Sequence, residues 1–150
     1  MLTAETGHPG VDLYLVDARG VATPAFPDTG LRMDQVHQHL PGDPRTACAA
    51  AGLGHLSTPP SPLPRQDDSE ADDTYTARET ARLRAVTGPG IALHKLTGSE
   101  FGGWWVTATE CAQALDGWKA AGSPALPGDD LAQFLTRAAA SGGFRAWQAY

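Results

Sequence analysis

Gly90–Trp118, GIALHKLTGSEFGGWWVTATECAQALDGW, is the stretch whose reading decides the fold. Ile91, Leu93 and Lys95 alternate with Ala92, His94 and Leu96, which predicts a strand, because successive strand side chains point to opposite faces. Thr97 to Gly103 reads as a polar, glycine-containing turn, and Trp104-Trp105-Val106 as the returning strand of a hairpin. Thr107-Ala108-Thr109-Glu110 is a capping box, in which the Thr107 hydroxyl and the Glu110 carboxylate each accept from the other residue's backbone N–H. Val106 and Cys111 bracket that cap as a hydrophobic staple. Beyond it Cys111, Ala114, Leu115 and Trp118 recur at helical spacing, a core-facing stripe, and Gly122 ends the helix. Trp104 and Trp105 cannot both enter one core from a strand. One of them is expected to need cover from another element or to face a cleft.

On the C-terminal side, Asp129 or Asp130 is placed to cap a further helix with a buried stripe of Leu131, Phe134, Leu135 and Ala138, closed by Gly142-Gly143. Phe144 to Tyr150 alternates Phe144, Ala146 and Gln148 against Arg145, Trp147 and Ala149, which suits an edge strand added to the hairpin sheet. On the N-terminal side, Tyr75 to Val86 reads as a helix ended by Gly88-Pro89-Gly90, with Arg78 and Arg82 on its exposed face and Arg84 nearby. Ser57 to Asp73, STPPSPLPRQDDSEADD, is proline-rich and then acidic, with almost nothing apolar to offset its ordering entropy. It is expected to be an extended, mobile linker between residues 1–56 and 74–150 of a single domain.

The N-terminal part opens on a half-buried strand, Val11 to Val16, followed by a turn at Asp17-Ala18-Arg19-Gly20 and a return partner at Val21 to Thr23, stopped by Pro24 and Pro27. Leu31, Met33, Val36 and Leu40 have a helical spacing that predicts a short helix to about Leu40, where Pro41-Gly42 ends it. A second, alanine-rich helix is expected over Pro44 to Ala51, stopped by Gly52. The fold class is therefore α+β: a small, mostly antiparallel sheet from strands near 11–16, 91–96, 104–106 and 144–149 against three or more helices.

Composition bounds the function. The formal charge of −6 is uneven: residues 1–74 carry eleven acidic and four basic side chains, and residues 75–150 carry six and seven. Neither half is basic enough to follow a phosphate backbone, which argues against nucleic acid. No run approaches the roughly 20 apolar residues of a membrane helix, and MLTAETGHPG lacks the basic and apolar regions of a signal peptide. The expected location is the cytoplasm. Cys48 and Cys111 are in no metal-finger spacing and imply no disulfide framework. Arg outnumbers Lys nine to two, and Ala and Gly abound, as in high-GC bacterial proteins.

The segment HKLTGSEFGGWWVTATECAQALDGW followed by FLTRAAASGGF resembles a pattern found in small, uncharacterised actinobacterial proteins. That pattern is a hairpin, a W-V-T-x-x-E helix, and an F-L-x-x-A-A helix before G-G-F, covering about residues 90–144. The resemblance implies architecture. It brings no activity with it, and no catalytic residue is carried over.

Five histidines are present, and His37-Gln38-His39 with Cys48 and His55 is the one grouping of metal-ligand types close in sequence. On the expected helix His37 and His39 point about 200° apart, so they read as a solvated pair and no metal site is assigned. Glu110 is accounted for by its cap and Cys111 by the buried stripe. No cofactor motif and no phosphate loop, serine elbow or metalloprotease helix is present. What remains for a ligand or partner surface is Trp104, Trp105, His94, Glu100 and Phe101. The leading expectation is a non-enzymatic cytoplasmic binding or protein-interaction module, meeting a protein partner or a second copy through the hairpin surface. One alternative is a small enzyme using His94 with Glu100 or Glu110 in a tryptophan-lined cleft. Another is a regulatory or toxin-neutralising partner protein.

Overall fold

Strands from the two ends of the chain meet in one antiparallel sheet. The computed structural model describes residues 10–23, 30–61, 66–97, 103–128 and 130–149. In chain order the elements are β1 (Gly10–Leu15), α1 (Met33–Val36), β2 (His37–Pro41), α2 (Arg45–Ala50), β3 (Gly54–His55) and α3 (Asp72–Arg84). After them come β4 (Ile91–Ala92), a 3-10 helix over Leu93–Thr97, β5 (Trp104–Val106), α4 (Ala108–Ala120), α5 (Leu131–Ala139) and β6 (Phe144–Ala149). The sheet order is β2-β1-β6-β5, all neighbours antiparallel, and β3 and β4 form a separate two-stranded parallel pair. The fold is a small α+β fold, with five α-helices among the described residues.

The inner face of the sheet follows the alternation of its strands. Val11, Leu13 and Leu15 of β1, Leu40 of β2, Phe144 and Ala146 of β6 and Val106 of β5 are all buried. They pack with Cys111, Ala114 and Leu115 of α4 and with Leu131, Phe134, Leu135 and Ala138 of α5 in one apolar cluster. Burying a side chain the size of Leu or Phe contributes roughly 1.5–3 kcal/mol, so this stripe-on-sheet packing dominates the stability. Cys48, Ala51 and Leu53 bring α2 into the same cluster. There α2's end meets α4 so closely that a Cβ on Gly117 would strike the Gly52 carbonyl. After α5 the chain reverses at Gly143, φ +92°, where a side chain would collide with the Val106 carbonyl.

Several local expectations are met. The Thr107–Glu110 capping box is formed in both directions, and α4 and α5 bury the expected stripes, with Trp118 partly buried. The turn after β1 closes through Gly20 N–H to Asp17 O, and the return segment makes a single bridge, Val16 to Ala22.

Four expectations about the elements are corrected. The helix predicted up to Leu40 stops at Val36, and 37–41 is an edge strand paired to β1. Pairing with β1 sends Leu40 to the core and both histidines to the other face, and this outweighs a helical spacing that spans only one turn. Secondly, 91–96 is not a hairpin strand: only Ile91–Ala92 is extended, and its partner is β3. A strand would put Lys95 on the same side as Ile91 and Leu93. The 3-10 turn keeps Leu93 and Leu96 together in the core and sends Lys95 elsewhere. Thirdly, β6 is not an edge, since it lies between β1 and β5. Finally, α3 begins at Asp72, so two acids of the acidic run fill its first turn, where the helix dipole favours them.

Before α3, the described parts of the tract from Ser57 carry no helix or strand, and residues 62–65 within it lie outside the described residues. Its start makes specific contacts. The Ser57 hydroxyl bonds to His94, and the Arg82 guanidinium donates to the carbonyls of Ser61 and Pro60. Arg82, expected on an exposed face, is therefore buried at 8 % exposure.

Candidate functional site

Charged and aromatic side chains gather in three places, and the first is the interior. Lys95 and Glu110 are both fully buried and 2.7 Å apart. The Lys95 ammonium also donates to the carbonyls of Trp105 at 2.7 Å and Arg84 at 3.3 Å. Glu110 in turn accepts from the backbone N–H groups of Thr107 and Ala92, each at 3.0 Å. Every proton of the ammonium is used, and both carboxylate oxygens are occupied. Burial pushes the Lys95 pKa down, and the neighbouring carboxylate opposes that shift. The pair joins α3, the 3-10 turn, β5 and α4. It is architecture, with no atom left for a substrate.

The second place surrounds His94, which is 2 % exposed. The Ser57 hydroxyl shares a hydrogen bond with Nδ1 at 2.7 Å and accepts from the His94 backbone N–H at 3.1 Å. Trp104 stands edge-on to the imidazole at 4.8 Å, and the Arg82 guanidinium lies 5.2 Å from the centre of the Trp104 ring. Burial, reinforced by the charges of Lys95, His55 and Arg82, lowers the imidazole pKa to about 4. Among the described residues its Nε2 has no hydrogen-bond partner, and His94 lines none of the principal cavities. Glu110 goes to Lys95 instead, so His94 and Glu110 do not form an acid–base pair.

The tryptophans follow the same pattern. Trp104 and Trp105 are each 2 % exposed, so neither offers a face to a ligand. Trp105 is held between the guanidinium groups of Arg84, at 4.5 Å, and Arg145, at 5.1 Å, and donates its indole N–H to Gly142 O at 2.8 Å. Glu100 and Phe101 lie outside the described residues. Cys48 and Cys111 are buried free thiols whose pKa burial pushes up, to about 12 for Cys48.

The third place is the outer face of the sheet. Asp12 sits opposite His39 on β2 and Trp147 on β6, and Tyr14 sits opposite His37 and Arg145. Since Val11, Leu13 and Leu15 point inward, these residues share the other side. One oxygen of Asp12, Oδ1, accepts from His37 Nε2 and from His39 Nδ1, each at 3.0 Å. A carboxylate only accepts, so His37 carries a proton on Nε2 and His39 carries one on Nδ1. The Tyr14 ring contacts His37 at 4.9 Å and meets Trp147 edge-on at 5.1 Å. Burial, then the charge on Asp12, raises the Tyr14 pKa. An open groove of about 450 Å³ runs between Asp12, Tyr14, Ala22 and Trp147. Asp12, His37 and His39 keep between 25 % and 30 % of their side-chain surface exposed.

Asp12 lies between its two histidines as a shared acceptor. Among the described residues no three His, Cys, Asp or Glu side chains are arranged to hold a metal ion. Cys48, grouped with His37 and His39 in the sequence, is in the core. His55 bonds to Pro89 O and Thr87 Oγ1. Sequence reasoning missed this outer cluster because it took His37 and His39 as helical. Reading 37–41 in steps of two would have placed both histidines on one face.

Comparison of the chain with protein-family models, with curated proteins and with solved structures returns no match. Among the described residues no helix is long and apolar enough to cross a membrane.

Proposed function

We propose that this protein is a non-enzymatic cytoplasmic binding module whose recognition surface is the outer face of the sheet, built on Asp12, Tyr14, His37, His39 and Trp147. The observation that carries the reading is the groove between Tyr14 and Trp147, where two aromatic rings and a held carboxylate stay accessible. Tyrosine and tryptophan are the side chains that most often dominate a protein interface, because each adds a large rigid area with a polar tip. The hairpin surface expected from the sequence has no such access, since both of its tryptophans are buried. The His94 enzyme reading finds no support in a buried imidazole that, among the described residues, lines none of the principal cavities. A regulatory or toxin-neutralising partner protein is a special case of the binding reading and would use the same face.

Selection of displayed peptides against the wild-type protein tests the proposal. Selected peptides are expected to bind a Tyr14→Ser/Trp147→Ser variant at least roughly tenfold more weakly, since each lost aromatic anchor is worth about 1–2 kcal/mol. Both side chains lie on the half-exposed face, so the variant is expected to unfold within a few degrees of wild type. Equal affinity for the two proteins would overturn the assignment of the surface.

A further inference from the structure

We infer that the group this surface receives is a cation, an arginine or lysine side chain of a partner protein; the inference rests on the outer face being the recognition surface. Three observations converge on it. The groove is walled by two aromatic rings, Tyr14 and Trp147, set edge-on to each other at 5.1 Å. Aromatic faces attract cations through the ring quadrupole, and this attraction grows as water is excluded. Asp12 lines the same groove, directly across from Trp147 in the strand register.

The hydrogen bonding of Asp12 fits this role. Both histidines bond to Oδ1, and among the described residues Oδ2 accepts no hydrogen bond. The imidazoles thereby fix the carboxylate while leaving its second oxygen for an incoming donor. His37 and His39 are positioning residues in this scheme. Arg145, opposite Tyr14 on this face, is drawn toward Trp105 and donates to the carbonyls of Gly20 and Gly103. The chain as a whole carries a net negative field, with a formal charge of −6. Such a field speeds the approach of a basic partner and disfavours an acidic one.

The test uses three acetylated, amidated peptides of alternating glycine and a second residue, which is arginine, citrulline or glutamate. Citrulline keeps the size and planar shape of arginine, exchanges one donor nitrogen for a carbonyl oxygen and removes the charge. Binding is followed at physiological ionic strength by the indole N–H resonance of Trp147 and by calorimetry. The arginine peptide is expected to shift that resonance and to bind roughly tenfold more tightly than the citrulline peptide, with no binding of the glutamate peptide. Asp12→Asn keeps an oxygen for both imidazoles and removes only the charge, and is expected to weaken the arginine peptide by a similar factor. Trp147→Leu, read by calorimetry, is a second variant that leaves Asp12 in place and should weaken it too.

Equal binding of the arginine and citrulline peptides, or undiminished binding to the Asp12→Asn protein, would overturn the inference. If displayed peptides depend on Tyr14 and Trp147 but carry no basic residue, the cation falls and the surface stands. If none depends on those two rings, the surface itself falls.

Discussion

Two carboxylates in this protein each hold basic side chains, under opposite conditions. Glu110 meets Lys95 with both groups fully buried, and five hydrogen bonds to and from the pair leave nothing unsatisfied. Asp12 meets His37 and His39 with a quarter of its side-chain surface exposed, and spends one oxygen on two imidazoles. The chemistry of the partners is similar, and burial decides the role. A fully enclosed ion pair has to be completely satisfied to exist at all, which leaves it no capacity for anything outside. A half-exposed one gains little for stability and keeps capacity for a ligand.

The largest expected effect breaks the interior pair. Lys95→Ala or Glu110→Ala should each cost about 3–5 kcal/mol in urea denaturation, because each strands an unpaired buried charge. A double Lys95→Met/Glu110→Leu variant should recover part of that loss; if it costs as much as the sum of the single variants, the pair is not acting as a unit.

Next comes acid. His94 has a folded pKa of about 4, below the ordinary value of 6.5 for an unfolded chain. Between those values the unfolded chain binds a proton that the folded one refuses. The stability contributed by the neutral imidazole is complete above about pH 6.5 and is lost as pH falls toward 4, by about 3 kcal/mol. Denaturation midpoints measured across that window check the sign, and the slope should shrink in His94→Gln.

A smaller effect is expected for Thr107→Ala, about 1 kcal/mol for the lost cap, read from the thermal midpoint. The smallest is the converse of the first. Asp12→Asn should change stability by less than about 1 kcal/mol while reducing binding at the outer face. A loss as large as that of Glu110→Ala would erase the contrast between the two carboxylates.

The sequence made the helical half of the fold legible wherever local rules were complete. The Thr107–Glu110 box, the stripe from Leu131 to Ala138 and the glycine stops each involve residues within a few positions of one another. Legibility failed where the deciding partner was remote. Ile91 to Leu96 alternates convincingly, but Lys95 has its counter-charge on α4, and the chain there is a 3-10 helix. His37–Pro41 is too short to declare its period, and its partner β1 decides it. The site failed for the same reason. The tryptophan pair drew attention because its cover was invisible in sequence: Arg84 and Arg145 come from α3 and β6. The outer cluster stayed hidden behind the misread β2.

The position of β6 has a consequence for the order in which the protein can assemble. Arg145 on that strand donates to the carbonyl of Gly20, 125 residues earlier. During synthesis β1 and β2 emerge first and can pair at once, whereas the other edge of β1 must wait for β5, α4, α5 and then β6. Throughout that interval β1 presents a row of unpaired backbone groups and an uncovered apolar face, the form of chain most prone to pair with a neighbour. The nascent protein is therefore most vulnerable to aggregation just before β6 arrives, and completion of the sheet is a late event in time as well as in sequence.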